Sequence, residues 1–125
     1  MRIYELKVNP VSKPRMTRRD TWKHRPVVDH YYAFKDQVRL QANILGLRTL
    51  PGSIDGLTFV IPMADSWSEA KKIRHDRQPH QQVPDLDNLT KSLFDSMNVE
   101  DKEIWFIGEL KKVWGRVGKI IIEIE

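Results

Sequence analysis

Between Pro84 and Asp101 the chain places five carboxylates, Asp85, Asp87, Asp95, Glu100 and Asp101, around a single ammonium, Lys91. Any fold this sequence adopts has to accommodate that charge. Pro84 biases the backbone to an extended entry, so Asp85 and Asp87, two residues apart, start on one side of the chain. From Asp87 onward Leu89, Leu93 and Met97 recur at helical spacing, with Leu86 and Phe94 flanking the same apolar face. The spacing predicts a helix. Asp87, Lys91 and Asp95 then stand at i, i+4 and i+8 and form a polar stripe opposite that face.

Two carboxylates about 5 Å apart near a surface repel by roughly 3 kcal/mol at an effective dielectric near 20. Four arrangements relieve this: a raised pKa on one member, use of an acid as a helix N-cap, pairing with Lys91, or a hard divalent cation bound by carboxylate oxygens. The first three make the cluster an ordinary helix entry, with exposed ion pairs worth about 0.3–0.5 kcal/mol each. The fourth makes it a site.

The rest of the chain bears on that choice. At 125 residues it predicts one domain with a real core, burying about two-thirds of its unfolded surface. With 40% hydrophobic and 30% charged residues it has a soluble, globular composition. No apolar run is long enough for a membrane span and no signal-peptide pattern is visible, so a cytoplasmic protein is expected. The absence of cysteine excludes disulfides, thiolate metal sites and cysteine nucleophiles, leaving oxygen and nitrogen chemistry.

Charge is segregated. Residues 1–48 carry eleven Lys/Arg against four Asp/Glu, a net of +7, whereas residues 83–125 carry six against nine, a net of −3. A basic arm can attract a polyanion, and a metal held by the acidic centre would make its approach tolerable. The basic part is concentrated in a loop over residues 10–26, where Lys13, Arg15, Arg18, Arg19, Lys23 and Arg25 surround Trp22 and His24 without helical or strand periodicity. That makeup suits phosphate contacts with an aromatic able to stack on a base; a merely solvated loop is the competing reading.

Elsewhere the patterns predict secondary structure. Arg2 to Val8 alternates as a strand, and Tyr31, Phe34, Val38, Ala42 and Leu45 mark an amphipathic helix from Val28 to a stop at Gly46. Leu57 to Met63 reads as a central strand. Ser66 and Glu69 fit a capping box opening a short helix to Arg74, whose Lys71, Lys72 and Arg74 form a second basic element. His80, just before the acids, is a candidate substrate contact. Glu103 to Trp114 and Lys119 to Glu125 read as two further strands, with Trp105 and Trp114 in the core. The expected fold is a single α+β domain: a mixed sheet of about four strands packed against helices.

Lys13-Pro14-Arg15 with Thr17-Arg18-Arg19, Ser66-Trp67-Ser68 before a basic helix, Pro79-His80, and then PDLDNLTKSLFDSMN followed by EDKEI together resemble the RusA-like Holliday junction resolvases, particularly phage-borne members. The resemblance spans nearly the whole chain, with an acidic core over residues 84–104. It implies a Mg²⁺-dependent endonuclease, with Mn²⁺ able to substitute, that binds four-way DNA junctions as a homodimer and nicks opposed strands during recombination and repair in a bacterial cytoplasm. It also implies that Asp85, Asp87 and Asp101 are the metal-binding catalytic carboxylates, Lys91 the catalytic lysine and Asp95 a further candidate ligand. The late acidic pair is Glu100-Asp101 where Asp-Asp is common, so Glu100 and Glu103 stand as alternatives to Asp101. Lys13, Arg15, Arg18, Arg19, Lys23, Lys71, Lys72 and Arg74, with His80, are the expected DNA contacts. Two other functions fit the same residues: a non-catalytic branched-DNA-binding module, and a general metal-dependent flap or branch nuclease.

Overall fold

A computed structural model describes residues 1–15 and 25–125. Arg18, Arg19 and Lys23, with Trp22 and His24 among them, lie outside the described residues. The elements run β1 (Arg2–Leu6), α1 (Pro26–Ile44), β2 (Ser53–Pro62), α2 (Glu69–His75), α3 (Leu86–Ser96), a 3₁₀ turn (Asp101–Glu103), β3 (Phe106–Gly115) and β4 (Lys119–Ile124). The four strands form one sheet in the order β1-β4-β2-β3. β4 runs antiparallel to both β1 and β2, whereas β2 and β3 are parallel. The sheet is therefore mixed, as expected. Parallel partners need a crossover, and the segment carrying α2 and α3 supplies it between β2 and β3.

Apolar periodicity explains the layering. Val28, Tyr31, Phe34, Val38 and Ala42 are the buried stripe of α1, and Leu89, Leu93 and Phe94 that of α3. The two helices pack on each other and join Leu6, Ile54, Leu57, Phe59, Ile120 and Ile122 in one core. Each of these aliphatic and aromatic side chains contributes about 1.5–3 kcal/mol on burial. β3, at the sheet edge, is exposed over most of its N-terminal half. Among the described residues no helix is long and apolar enough to cross a membrane.

Four local expectations are corrected. Helix α1 ends at Ile44, before Leu45, which is exposed; Gly46 follows at φ +75°, in the left-handed region glycine occupies without steric cost. Ser66 does not cap α2. Ser68 does, its Oγ accepting from the Lys71 amide at 3.2 Å, while Glu69 pairs with Arg116 instead of reaching back. Glu103 belongs to the 3₁₀ turn and not to β3, because its carboxylate accepts from the Glu100 amide at 3.1 Å. Trp105 is 77% exposed, whereas Trp114 is buried. The Trp105 amide bonds the Gly52 carbonyl at 2.9 Å, which pins its backbone beside β2 and leaves the indole outside the core.

Candidate functional site

The acids are delivered by a loop stitched to the edge of β3. The Arg77 amide donates to the Trp114 carbonyl at 2.9 Å, the Trp114 amide to the Gln78 carbonyl at 3.0 Å, and the His80 amide to the Lys112 carbonyl at 3.1 Å. Lys112 then reaches forward. Its Nζ donates to the carbonyls of Gln82 and Pro84 at 2.5 and 2.6 Å, holding the chain just where it turns into α3. Sequence reasoning missed Lys112, although a signal was present: adjacent strand residues Lys111 and Lys112 must face opposite sides of the sheet, so one of them points inward toward that loop.

Asp85 follows as the N-cap residue of α3, extended at φ −70° and ψ 144°, but its side chain makes no capping hydrogen bond. It is exposed, like Asp87. Asp87 Oδ2 lies 4.0 Å from Lys91 Nζ, with both side chains more than half exposed, an ion pair of small energy. The N-terminus of α3 thus offers two carboxylates that do little for the helix.

Asp95, two turns on, differs. Tyr31 donates its hydroxyl to Asp95 Oδ2 at 2.5 Å, and Lys35 Nζ stands 3.1 Å from the same oxygen. Burial pushes the Asp95 carboxyl up, but the hydrogen bonds from Tyr31 and Lys35 and the charges of Lys35 and Lys13 outweigh it and hold the group below the usual carboxylate range. Burial and the Asp95 charge push the Tyr31 phenol in the opposite direction, upward. Asp95 therefore ties α3 to α1.

Within the acidic turn, Glu100 and Glu103 cap each other's backbone reciprocally, and Glu100 also pairs with Lys102 at 3.1 Å. Asp101 is left exposed between them. A cavity of about 430 Å³ brings Asp101 and Glu100 together with Lys91, Asp95, Lys102 and Lys13 from the basic arm. Asp85 and Asp87 do not line it; Lys91 connects the two groups, facing Asp87 on one side and the cavity on the other. A hollow of similar size, about 460 Å³, surrounds Arg77, Trp114 and Arg116 and contains none of the candidate acids. Among the described residues no three Asp, Glu or His side chains converge as a finished metal site.

The family model for endodeoxyribonuclease RusA matches residues 6–125. The chain belongs to the RusA endodeoxyribonuclease family. No curated protein matches it. Membership indicates a Holliday junction resolvase nuclease, and the RusA family binds branched DNA junctions.

For a RusA-family chain the placement of the basic residues matters as much as that of the acids. Lys13 and Arg15 are exposed at the start of the basic arm, and Arg25 at its far end donates to the Arg15 carbonyl at 2.9 Å. On α2, Arg74 is exposed and Lys71 lies over the Trp67 ring, 4.0 Å from its centroid. The surface expected to meet phosphates is thus split between the arm and α2. His80 does not join it. The residue is 4% exposed and its ring packs against Trp114, centroids 4.4 Å apart and planes tilted by 58°, with Nδ1 lacking a partner. Burial and the nearby Lys112 charge depress its pKa, so the imidazole is neutral at pH 7 and part of the packing behind the site.

Proposed function

We propose that this chain resolves four-way DNA junctions by Mg²⁺-dependent, paired symmetric nicks, acting as a homodimer in recombination and repair. The observation that carries this reading is the state of Asp85, Asp87 and Asp101. All three are exposed; Asp85 makes no capping bond, Asp87 has one loose pairing with Lys91, and Asp101 sits between two glutamates already spent on each other's backbone. Acids that serve caps and ion pairs would be engaged by their own protein.

The donor set fits magnesium. It is all hard oxygen, and Mg²⁺ keeps several waters of its own, so a preformed cage is unnecessary. Asp85, Asp87 and Asp101 would hold the ion; the engagement of Asp95 by Tyr31 and Lys35 argues against its serving as a ligand. Glu100 and Glu103 are argued against in the same way by their mutual capping. The bound ion supplies an activated water and neutralises charge on the phosphate. Lys91, half exposed and one turn from Asp87, would place its ammonium on the developing phosphoryl charge. Lys13, Arg15, Lys71, Lys72 and Arg74, joined by Arg18, Arg19 and Lys23, would bind the backbone, each phosphate contact adding about 0.9 to the log–log salt slope. Two-fold symmetry would supply the second, identical cut.

The test incubates purified protein with labelled four-way junction, duplex and flap, in Mg²⁺ or a chelator, beside Asp87→Asn. Paired nicks confined to the junction, lost with the chelator and in the variant, are expected. Binding without cleavage would make the chain a DNA-binding module, and flap cutting a general branch nuclease; full activity in Asp87→Asn would remove the metal site.

A further inference from the structure

Trp105 and Phe106 are adjacent aromatic side chains that the fold leaves in contact with solvent. Trp105 is 77% exposed and Phe106 43% exposed, and the rings lie side by side with centroids 5.5 Å apart and planes tilted by 40°. The base of this pair is fixed. The amides of Trp105 and Phe106 both donate to the Gly52 carbonyl, at 2.9 and 3.3 Å. The indole also lies so close over Gly52 that a Cβ there would stand 3.1 Å from its Cδ1. A tryptophan anchored this way presents its face to solvent instead of folding back onto the sheet.

The position is continuous with the acidic turn. The Ile104 amide bonds the Asp101 carbonyl at 3.2 Å, so the aromatic pair begins one residue beyond the turn that carries Asp101. Four residues of chain span at most about 14 Å, which is about four base-pair steps. Any strand whose phosphate reached Asp101 would bring its neighbouring bases within range of these rings.

We propose that Trp105, supported by Phe106, is a stacking platform for a base exposed at the branch point of the DNA. This rests on the reading of the site as a branched-DNA nuclease. Exposed aromatic faces accept any base, and a branch differs from continuous duplex in presenting base-pair faces that are not covered by a neighbour. The platform thus supplies preference for branched shape without sequence. A second copy of the chain fits the patch less well: two aromatic rings bury about 150–250 Å² each, whereas a stable protein interface needs about 800 Å² per partner. The flanking side chains of β3 and the turn, Lys102, Glu103, Glu109 and Lys111, are charged and exposed.

The experiment measures binding of wild-type protein, Trp105→Ala and Trp105→Phe to a labelled four-way junction and to duplex of equal length, in a chelator so that nothing is cut. Thermal melting and the sedimentation of each protein are followed in parallel. Trp105→Ala is expected to weaken junction binding by roughly 5- to 150-fold, the range for loss of one base–aromatic stack, with much less effect on duplex. Trp105→Phe should recover most of the loss, and the junction-induced quenching of tryptophan emission should shrink in both variants. Unchanged junction affinity in Trp105→Ala, or equal losses on junction and duplex, would overturn the platform while leaving the nuclease reading intact. A change in sedimentation accompanying the loss would also overturn it, assigning the rings to a subunit contact. Wild-type protein that fails to prefer junction over duplex would overturn both.

Discussion

Asp95 and Asp101 belong to one acidic run in the sequence and border one cavity in the fold, yet the protein treats them oppositely. Asp95 is met by a buried tyrosine hydroxyl and a lysine, both from α1, and its carboxyl is held ionised below its usual range. Asp101 is exposed, and the glutamates on either side of it occupy the backbone positions it could have capped. The first charge is satisfied from within and acts as a tie between two helices. The second makes no such tie, which under the proposed function leaves it for the metal. The comparison teaches that carboxylate density alone does not identify a site; what identifies it is which acids the fold leaves unspent.

The sharpest way to break this comparison is to neutralise each acid in turn. Asp101→Asn should lower junction cleavage by about 100-fold or more, since a ligand to a charge-stabilising metal is worth several kcal/mol. Its melting should stay within about 0.5 kcal/mol of wild type, as for other exposed positions. Asp95→Asn should do the reverse, costing about 1–3 kcal/mol of stability in denaturant unfolding through loss of a charged acceptor to Tyr31 and Lys35. Because the folded carboxyl lies below its unfolded value, that contribution is present at neutral pH and fades only as pH falls through the folded value. A variant pair with these outcomes exchanged would place the metal at Asp95.

Lys112 tests whether the unspent acids depend on how they are delivered. Its ammonium grips backbone, through the carbonyls on either side of Val83. Lys112→Met keeps the aliphatic stem and removes both bonds. Expected is a cleavage rate lower by about 10-fold with junction affinity nearly unchanged, because a displaced Asp85 costs geometry more than binding. A uniform loss of affinity would mean that Lys112 contacts DNA directly.

How much of this was legible in advance follows from the range of the forces involved. The strands, the helices and the mixed sheet were readable because apolar spacing is local: Leu89 and Leu93, or Tyr31 and Phe34, announce their own buried faces. The acids from Asp85 to Asp101 and Lys91 stand out as candidates for the same reason, being close in sequence. What could not be read was partnership across distance. The tie from Tyr31 to Asp95 joins residues 64 apart, and the grip of Lys112 on Pro84 joins residues 28 apart. Hydrophobicity alone places Trp105 in the core, but it stands just before β3, where its amide is tied to the Gly52 carbonyl and the indole stays outside. His80 looked like a surface ligand because it precedes the acids, and the pairing of its loop with β3 turned it inward instead.

That inward histidine yields the smallest effect. The folded pKa of His80 is depressed, first by burial and then by Lys112, so the unfolded chain takes up the proton more readily. Stability attributable to this residue is therefore full above about pH 6.5, the ordinary histidine value, and declines as pH falls toward the folded value, with a slope of at most one proton or about 1.4 kcal/mol per pH unit. His80→Phe preserves a ring against Trp114 and has no Nδ1 to leave unpaired. The difference in melting between wild type and variant, followed from pH 7.5 to 5, isolates the single site. The wild type should lose ground to the variant on acidification. Parallel curves would mean that the imidazole meets solvent after all, and that the loop before Asp85 opens in solution, which would bring His80 back to the DNA-facing side of the comparison with Asp101.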